Sequence, residues 1–150
     1  MINKFLIILI LSIYAFGFDK IYFLPNDAKK AESKIIKLLK NSDKSIDVAM
    51  YNFTHKKFAK AIKKAVKNDV DVTIIYYKTK LKFNKKINLI KTKRKQHIKL
   101  AIIDDKFLIF GSANWKKESF GENYEIINIT DDKEKIKKFR KIFETIKEEN

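Results

Sequence analysis

From Gln96 to Trp115 the chain reads QHIKLAIIDDKFLIFGSANW, two apolar runs of strand length hinged on Asp104-Asp105. Such a pair suits a tight reversal, so a β-hairpin is the unit that the rest of the fold must accommodate. His97 and Lys99 are two apart; on an extended strand they leave by one face while Ile98 and Leu100 leave by the other. Folding about the reversal pairs positions whose numbers sum to about 209, because cross-strand register follows from the turn. That register brings Ser112 beside His97, with Asn114 just beyond it. An imidazole, an ammonium, a hydroxyl and an amide then share one end of one hairpin, a set able to hold a phosphate and attack it.

Upstream the pattern alternates between strand and helix. Ile21 to Leu24 is a short apolar run stopped by Pro25-Asn26-Asp27, and Ala31 to Lys40 carries Ile35, Leu38 and Leu39 at helical spacing. Ser45 to Phe53 alternates as a strand. Thr54 is placed to cap a helix from Lys56 to Lys67, whose Phe58, Ala61, Ile62, Ala65 and Val66 make one apolar stripe. Val70 to Tyr77 is rich in β-branched and aromatic residues and predicts another strand. Ile87 to Ile90 predicts a short strand within an otherwise exposed lysine-rich loop. Asp132 to Glu148 predicts a closing amphipathic helix on Ile136, Phe139, Ile142, Phe143 and Ile146. Strands separated by helices point to an α/β fold, a mixed β-sheet flanked by helices. At 150 residues the chain has the size of one domain, expected over residues 18–150.

Residues 1–17 are different material. Lys4 is their only charge, Phe5 to Phe16 is almost wholly apolar, and Ala15-Phe16-Gly17 ends in small residues. Twelve residues make about 18 Å of helix, short for a bilayer. The segment reads as a cleavable export signal, with an uncleaved amino-terminal anchor as the alternative, so the protein is expected to be exported, periplasmic or membrane-associated. The chain has no cysteine, which excludes disulfides, thiolate metal sites and a lipid-modified cysteine after the signal.

The formal charge is +16, from 34 basic residues of which only Arg94 and Arg140 are arginine. Bulk charge of this kind fits a polyanionic partner, and equally a lysine-rich coding bias. The run Lys78, Lys80, Lys82, Lys85, Lys86, Lys91, Lys93, Arg94 and Lys95 is more informative, since it leads straight into His97. Its end, Lys91, Lys93, Arg94 and Lys95, is the expected nucleic-acid-binding rim.

His97-x-Lys99-x4-Asp104-x6-Gly111-Ser112-x-Asn114 resembles, without a gap, the HxK(x)4D(x)6GSxN signature of the phospholipase D superfamily. Six fixed positions at background frequencies would recur by chance in about one chain in 10^5. Asn123-Tyr124-Glu125 followed by Ile126 to Ile129 resembles the family's NxE strand, and Ser45 to Thr54 and Val70 to Ile75 resemble its first core strands. The resemblance implies a phospholipase D-like α-β-α sandwich. The sequence departs from family habit at Asp69, where a glycine is usual, and at Tyr77, where an acid is frequent.

Within that resemblance each residue acquires a role. His97 is the nucleophile, implied to become a phosphohistidine, so that one hard displacement becomes two easier ones. Lys99 neutralises charge growing on the nonbridging oxygens, and Asn114 donates to the same oxygens. Glu125 is expected to accept the other ring N–H of His97 and fix its tautomer. Ser112 supports that geometry, while Asp104 and Gly111 are structural members of the motif. No metal or other cofactor is expected, since no Asp/Glu/His cluster has ligand spacing. Trp115 and Phe120 read as core or rim aromatics. His55-x-Lys57 begins a second HxK, but Ile62 stands where the motif needs Asp, and His55 reads as a surface residue at a helix start.

One motif leaves the leaving oxygen without a general acid, which two-motif members supply from a second histidine. A two-fold homodimer sharing one active site is the economical solution, one His97 neutral and the other protonated. The resemblance thus implies an exported, metal-independent nuclease acting on DNA, single-stranded or duplex, with RNA a further candidate. Short signal-bearing members act on DNA outside the cytoplasmic membrane, including DNA being taken up. A phospholipase D or cardiolipin hydrolase acting at the membrane through residues 1–17 is the second reading, and a nonenzymatic basic DNA-binding protein the third. The lysine-rich loop, in place of a long apolar one, favours the first.

Overall fold

The computed structural model describes residues 17–150; the expected signal or anchor, residues 1–17, lies outside them except for Gly17. Seven strands form one sheet: β1 Asp19–Leu24, β2 Ser45–Phe53, β3 Asp71–Thr79, β4 Asn88–Lys91, β5 Lys99–Ile103, β6 Phe107–Gly111 and β7 Glu125–Thr130. Four helices join them: α1 Ala28–Lys40, α2 Lys56–Lys67, the short α3 Lys117–Gly121, and α4 Lys133–Glu148. The spatial order is β1-β7-β6-β5-β2-β3-β4. β2, β3 and β4 run parallel, joined by α2 and the lysine-rich loop, and every other neighbouring pair is antiparallel. This is the mixed α/β sheet that the alternating pattern predicts.

Alternation along the strands divides the interior into two layers. Ile46, Val48 and Met50 of β2 face one side, where Ile35 and Leu39 of α1 and Phe58 and Ile62 of α2 are buried against them. Ala49, Leu100, Ile102 and Leu108 face the other side, beneath Ile136 and Phe143 of α4. Each such side chain stabilises the fold by about 1.5–3 kcal/mol when removed from water. Phe143 is fully buried, so Phe143→Ala would cost about 3–5 kcal/mol and loosen the α4 layer. Asp132 caps α4 by accepting from the Lys135 N–H at 2.9 Å.

The hairpin register is one residue off the expected pairing. The Lys106 N–H donates to the Ile103 carbonyl at 2.9 Å, with Asp104 and Asp105 both left-handed at φ 55° and 51°, but the ladder closes on Ile103 and Phe107, which leaves Lys106 as an extra residue in the loop and sets Leu100 against Phe110. One extra residue on one strand shifts the pairing of every residue beyond it. Extended, that register sets Ser112 against Ile98 instead of His97. Asp104 also carries structural weight through its carboxylate, which accepts from the backbone N–H groups of Asp43, Lys44 and Ser45 at 2.8–3.2 Å. It thereby ties the start of β2 to the hairpin turn. Asp69 follows α2 with φ 58°, which accounts for a glycine being usual there.

Two local expectations are corrected. The cap position of α2 is His55, not Thr54, and no side chain there makes a capping bond. The N–H groups of Thr54 and His55 both donate instead to the Trp115 carbonyl at 2.8 Å. His55 itself is buried, not on the surface: it stacks on Phe58 at 4.0 Å and meets the edge of Phe120 at 5.2 Å. Apolar contact with two rings outweighs its polar character at that position.

Candidate active site

The C-terminal end of β2 is where the two halves of the motif meet. Met50 pairs with Lys99, the Tyr51 N–H donates to the Ile98 carbonyl at 3.0 Å, and the Asn52 N–H donates to Asn114 Oδ1 at 3.1 Å. Three successive β2 residues therefore hold the His97-Lys99 segment on one hand and the Ser112-Asn114 segment on the other. Trp115, buried against the edges of Phe53 and Phe58 at 5.2 and 5.0 Å, anchors the second segment. The site lies at the carboxyl end of the parallel strands β2 and β3, the usual ligand end of such sheets.

His97 lies just ahead of β5 with its side chain exposed, whereas Lys99 is buried at 8% exposure. Lys99 Nζ donates to the His97 carbonyl at 2.8 Å and sits 2.9 Å from His97 Nδ1 and 3.2 Å from Nε2. Burial holds the Lys99 ammonium below the usual lysine range, and the nearby charge of Glu125 partly opposes that shift. Asn114 spends its oxygen on β2, which leaves its amide nitrogen as the donor available to a ligand. An exposed imidazole, a partly desolvated ammonium and an amide donor on one strand end can bind a phosphate and present nitrogen to phosphorus.

Glu125 does not take the expected place. No hydrogen bond joins it to His97; its Oε1 accepts from Asn123 Nδ2 at 3.4 Å, and its influence on the site is electrostatic, through Lys99. Ser112 is also occupied by the sheet. Its Oγ accepts from the Ile126 N–H at 3.0 Å and its own N–H donates to the Ile126 carbonyl, so it fastens β7 beside β6. Gly111 permits that approach: a Cβ there would run into the Ile126 carbonyl oxygen.

Sequence reasoning missed Tyr51. Its ring centroid lies 4.8 Å from that of His97 and stacks on Tyr77 at 5.5 Å. The ammonium groups of Lys78, Lys95 and Lys99 lie 5.6, 5.9 and 5.7 Å from the Tyr51 centroid. A tyrosine ending an alternating strand was the available signal, but nothing local said which histidine it would meet. Of the expected rim, Lys95 thus reaches the site through Tyr51. Lys93, Arg94 and Lys95 line a cavity of about 590 Å³ against Ile146, Glu149 and Asn150 at the end of α4. Lys91 belongs to β4, paired with Tyr76.

Residues 35–147 match the family described as Cardiolipin synthase, PLD-like domain. The chain belongs to this phospholipase D-like family. NucT from Helicobacter pylori superposes with a TM-score of 0.78 at 30% identity, over 89% of this chain and 97% of that one. Nuc from Salmonella typhimurium, a phospholipase D family member, superposes with a TM-score of 0.75 at 19% identity, over 89% and 95%, a likeness of fold. Human mitochondrial cardiolipin hydrolase is 27% identical over 137 residues, 84% of this chain and 54% of that protein. The chain spans about half the length of that curated relative.

Proposed function

We propose that this protein is a metal-independent nuclease that hydrolyses DNA phosphodiester bonds through a phosphohistidine on His97. The carrying observation is the ring of ammonium groups from Lys78, Lys95 and Lys99 around Tyr51, beside an exposed imidazole. Cations around an aromatic face suit a nucleotide strand, whose phosphates need neutralising and whose bases stack. The His97 nitrogen attacks phosphorus and forms an N–P bond as the P–O bond to the leaving oxygen breaks. That oxygen takes a proton from a general acid. Water, giving its proton to the same group, then attacks phosphorus, breaks the N–P bond and frees the phosphate end. Lys99 and the Asn114 amide hold the nonbridging oxygens in both steps.

The acid is the His97 of a second copy across a two-fold axis. A row of exposed apolar side chains supports self-association: Ile21 and Phe23 on β1, Tyr124 and Ile126 flanking Glu125, with Phe23 and Tyr124 stacked at 5.8 Å. Exposed apolar surface next to an incomplete site fits an isologous interface. The apolar residues 5–16 support action outside the cytoplasmic membrane; no described helix is long and apolar enough to cross a bilayer.

Lipid phosphodiester hydrolysis is the second reading, favoured by the similarity to mitochondrial cardiolipin hydrolase. One experiment separates them. Purified protein is offered circular single-stranded DNA, duplex DNA, RNA and cardiolipin vesicles, all in excess chelator. Opened circles with the wild type, and none with a dimeric His97→Ala variant, are expected. Lipid turnover alone, or loss of all cleavage in chelator, would overturn the proposal.

A further inference from the structure

A second cationic surface lies away from the hairpin. Lys57, Lys60, Lys64 and Lys67 recur at helical spacing along one face of α2, and with Lys40 of α1 and Lys82 of the following loop they line a groove of about 990 Å³. Phe83 and Ile87 supply apolar surface within it. Among the described residues only Lys57 of these six lysines has a carboxylate within 4.0 Å, Glu32 at 2.9 Å. α2 contains no acid at all, and it opens on Lys56 and Lys57 at the positive pole of its own dipole. Like charges three and four residues apart destabilise a helix. The arrangement therefore opposes folding of α2, and a bound polyanion relieves it.

We infer that this groove is an exosite for a nucleic-acid strand whose cleaved phosphate sits at His97, an inference that rests on the nuclease reading. From Lys57 to Lys67 the lysine row rises about 15 Å, the span of about four nucleotides at the stacked rise of 3.4 Å. The groove also reaches the site through packed rings. Phe83 meets Phe53 at 5.4 Å, Phe53 meets Trp115 at 5.2 Å, and Trp115 adjoins Asn114. Lys57 stands at the same sheet end, two residues past the N–H groups that hold Trp115. A strand leaving the hairpin over the amino end of α2 thus meets lysines in succession, with Phe83 half-buried and open to a base.

The test compares two triple variants of the full chain with equal charge loss: Lys60→Gln/Lys64→Gln/Lys67→Gln in the groove, and Lys133→Gln/Lys137→Gln/Lys141→Gln on α4. Binding of fluorescein-labelled thymidine 30-mer and 6-mer is followed by anisotropy across salt, in a His97→Ala background. Hydrolysis of bis(p-nitrophenyl) phosphate is followed in the native background. The groove variant is expected to weaken on the 30-mer by about 10-fold or more, with a salt slope lower by about 2. It should keep its 6-mer affinity and its hydrolysis of the small diester within about twofold, as phosphate contacts beyond the cleaved bond predict. Equal behaviour of the two triples on the 30-mer would overturn the exosite and leave the nuclease reading standing. A wild type that binds no oligonucleotide would remove both. Loss of binding to anionic phospholipid vesicles with 30-mer affinity intact would assign the groove to lipid headgroups and likewise overturn it.

Discussion

The backbone N–H of Asn52 donates to Oδ1 of Asn114 across 3.1 Å, so the oxygen end of that amide belongs to the sheet and the nitrogen end is the one proposed to hold phosphate. The bond fixes which end of Asn114 faces β2. An aspartate there keeps the acceptor and replaces the donor with a charge that repels phosphate. Asn114→Asp is therefore expected to lower kcat/KM by about 10²–10³, while its thermal midpoint stays near the wild type. A midpoint that collapses together with activity would show Asn114 to be a fold residue alone.

Asp104 makes a different kind of contribution, since its carboxylate receives three consecutive N–H groups and its backbone is left-handed. Asp104→Ala is expected to cost about 2–3 kcal/mol in denaturant melts. Asp104→Asn retains Oδ1 and tolerance of that conformation, and should recover most of the loss. Equal melts for the two variants would contradict this account.

Glu125 and Lys99 are coupled by charge, with burial already holding Lys99 below its ordinary range and Glu125 pulling it back. Removing the carboxylate lets Lys99 lose its proton at lower pH. Glu125→Gln should therefore move the basic limb of the pH–rate profile downward. A fall in kcat with that limb unmoved would instead support the expected role of Glu125 on the His97 tautomer.

His55 gives the fold a pH dependence of its own. Burial is the main cause holding its pKa below 6.5, against the opposing pull of Glu32, whose Oε1 lies 3.4 Å from Nε2. The native state favours the neutral ring, so below 6.5 the unfolded chain binds the proton first. Stability is present above that value and is lost as pH falls through the folded pKa, by up to about 1.4 kcal/mol per pH unit. Chemical melts at pH 7.5 and 5.0 should show a smaller loss for His55→Phe than for the wild type. Identical losses would refute it.

Much of this architecture could be read along the chain. Period-two alternation at Ser45–Phe53 and the stripe from Phe58 to Val66 gave strand and helix because each local face must be buried. Asp104-Asp105 marked the hairpin, and the Lys99 contact with His97 followed from two residues of one extended segment. The register slip of Ser112 was not legible, because Asp104-Asp105 marks the reversal without showing that Lys106 would also be left in the loop. His55 was misjudged from its neighbours: a helix start reads as surface until α1 and α3 close over it with Glu32 and Phe120. The bond expected between Glu125 and His97 failed for a related reason, since strand alternation orients a carboxylate without saying which charge it will adjoin.

The amino-acid order alone determined the kinds of element, their apolar faces and the list of reactive side chains, since all three depend on neighbours within a turn or a strand. Only the folded sheet decided that the end of β2 would hold both halves of the motif, that Tyr51 would gather ammonium groups beside His97, and that α2 lysines would open onto a groove. Those relations join residues tens of positions apart, and they come into being when layers pack and every buried N–H must find an acceptor.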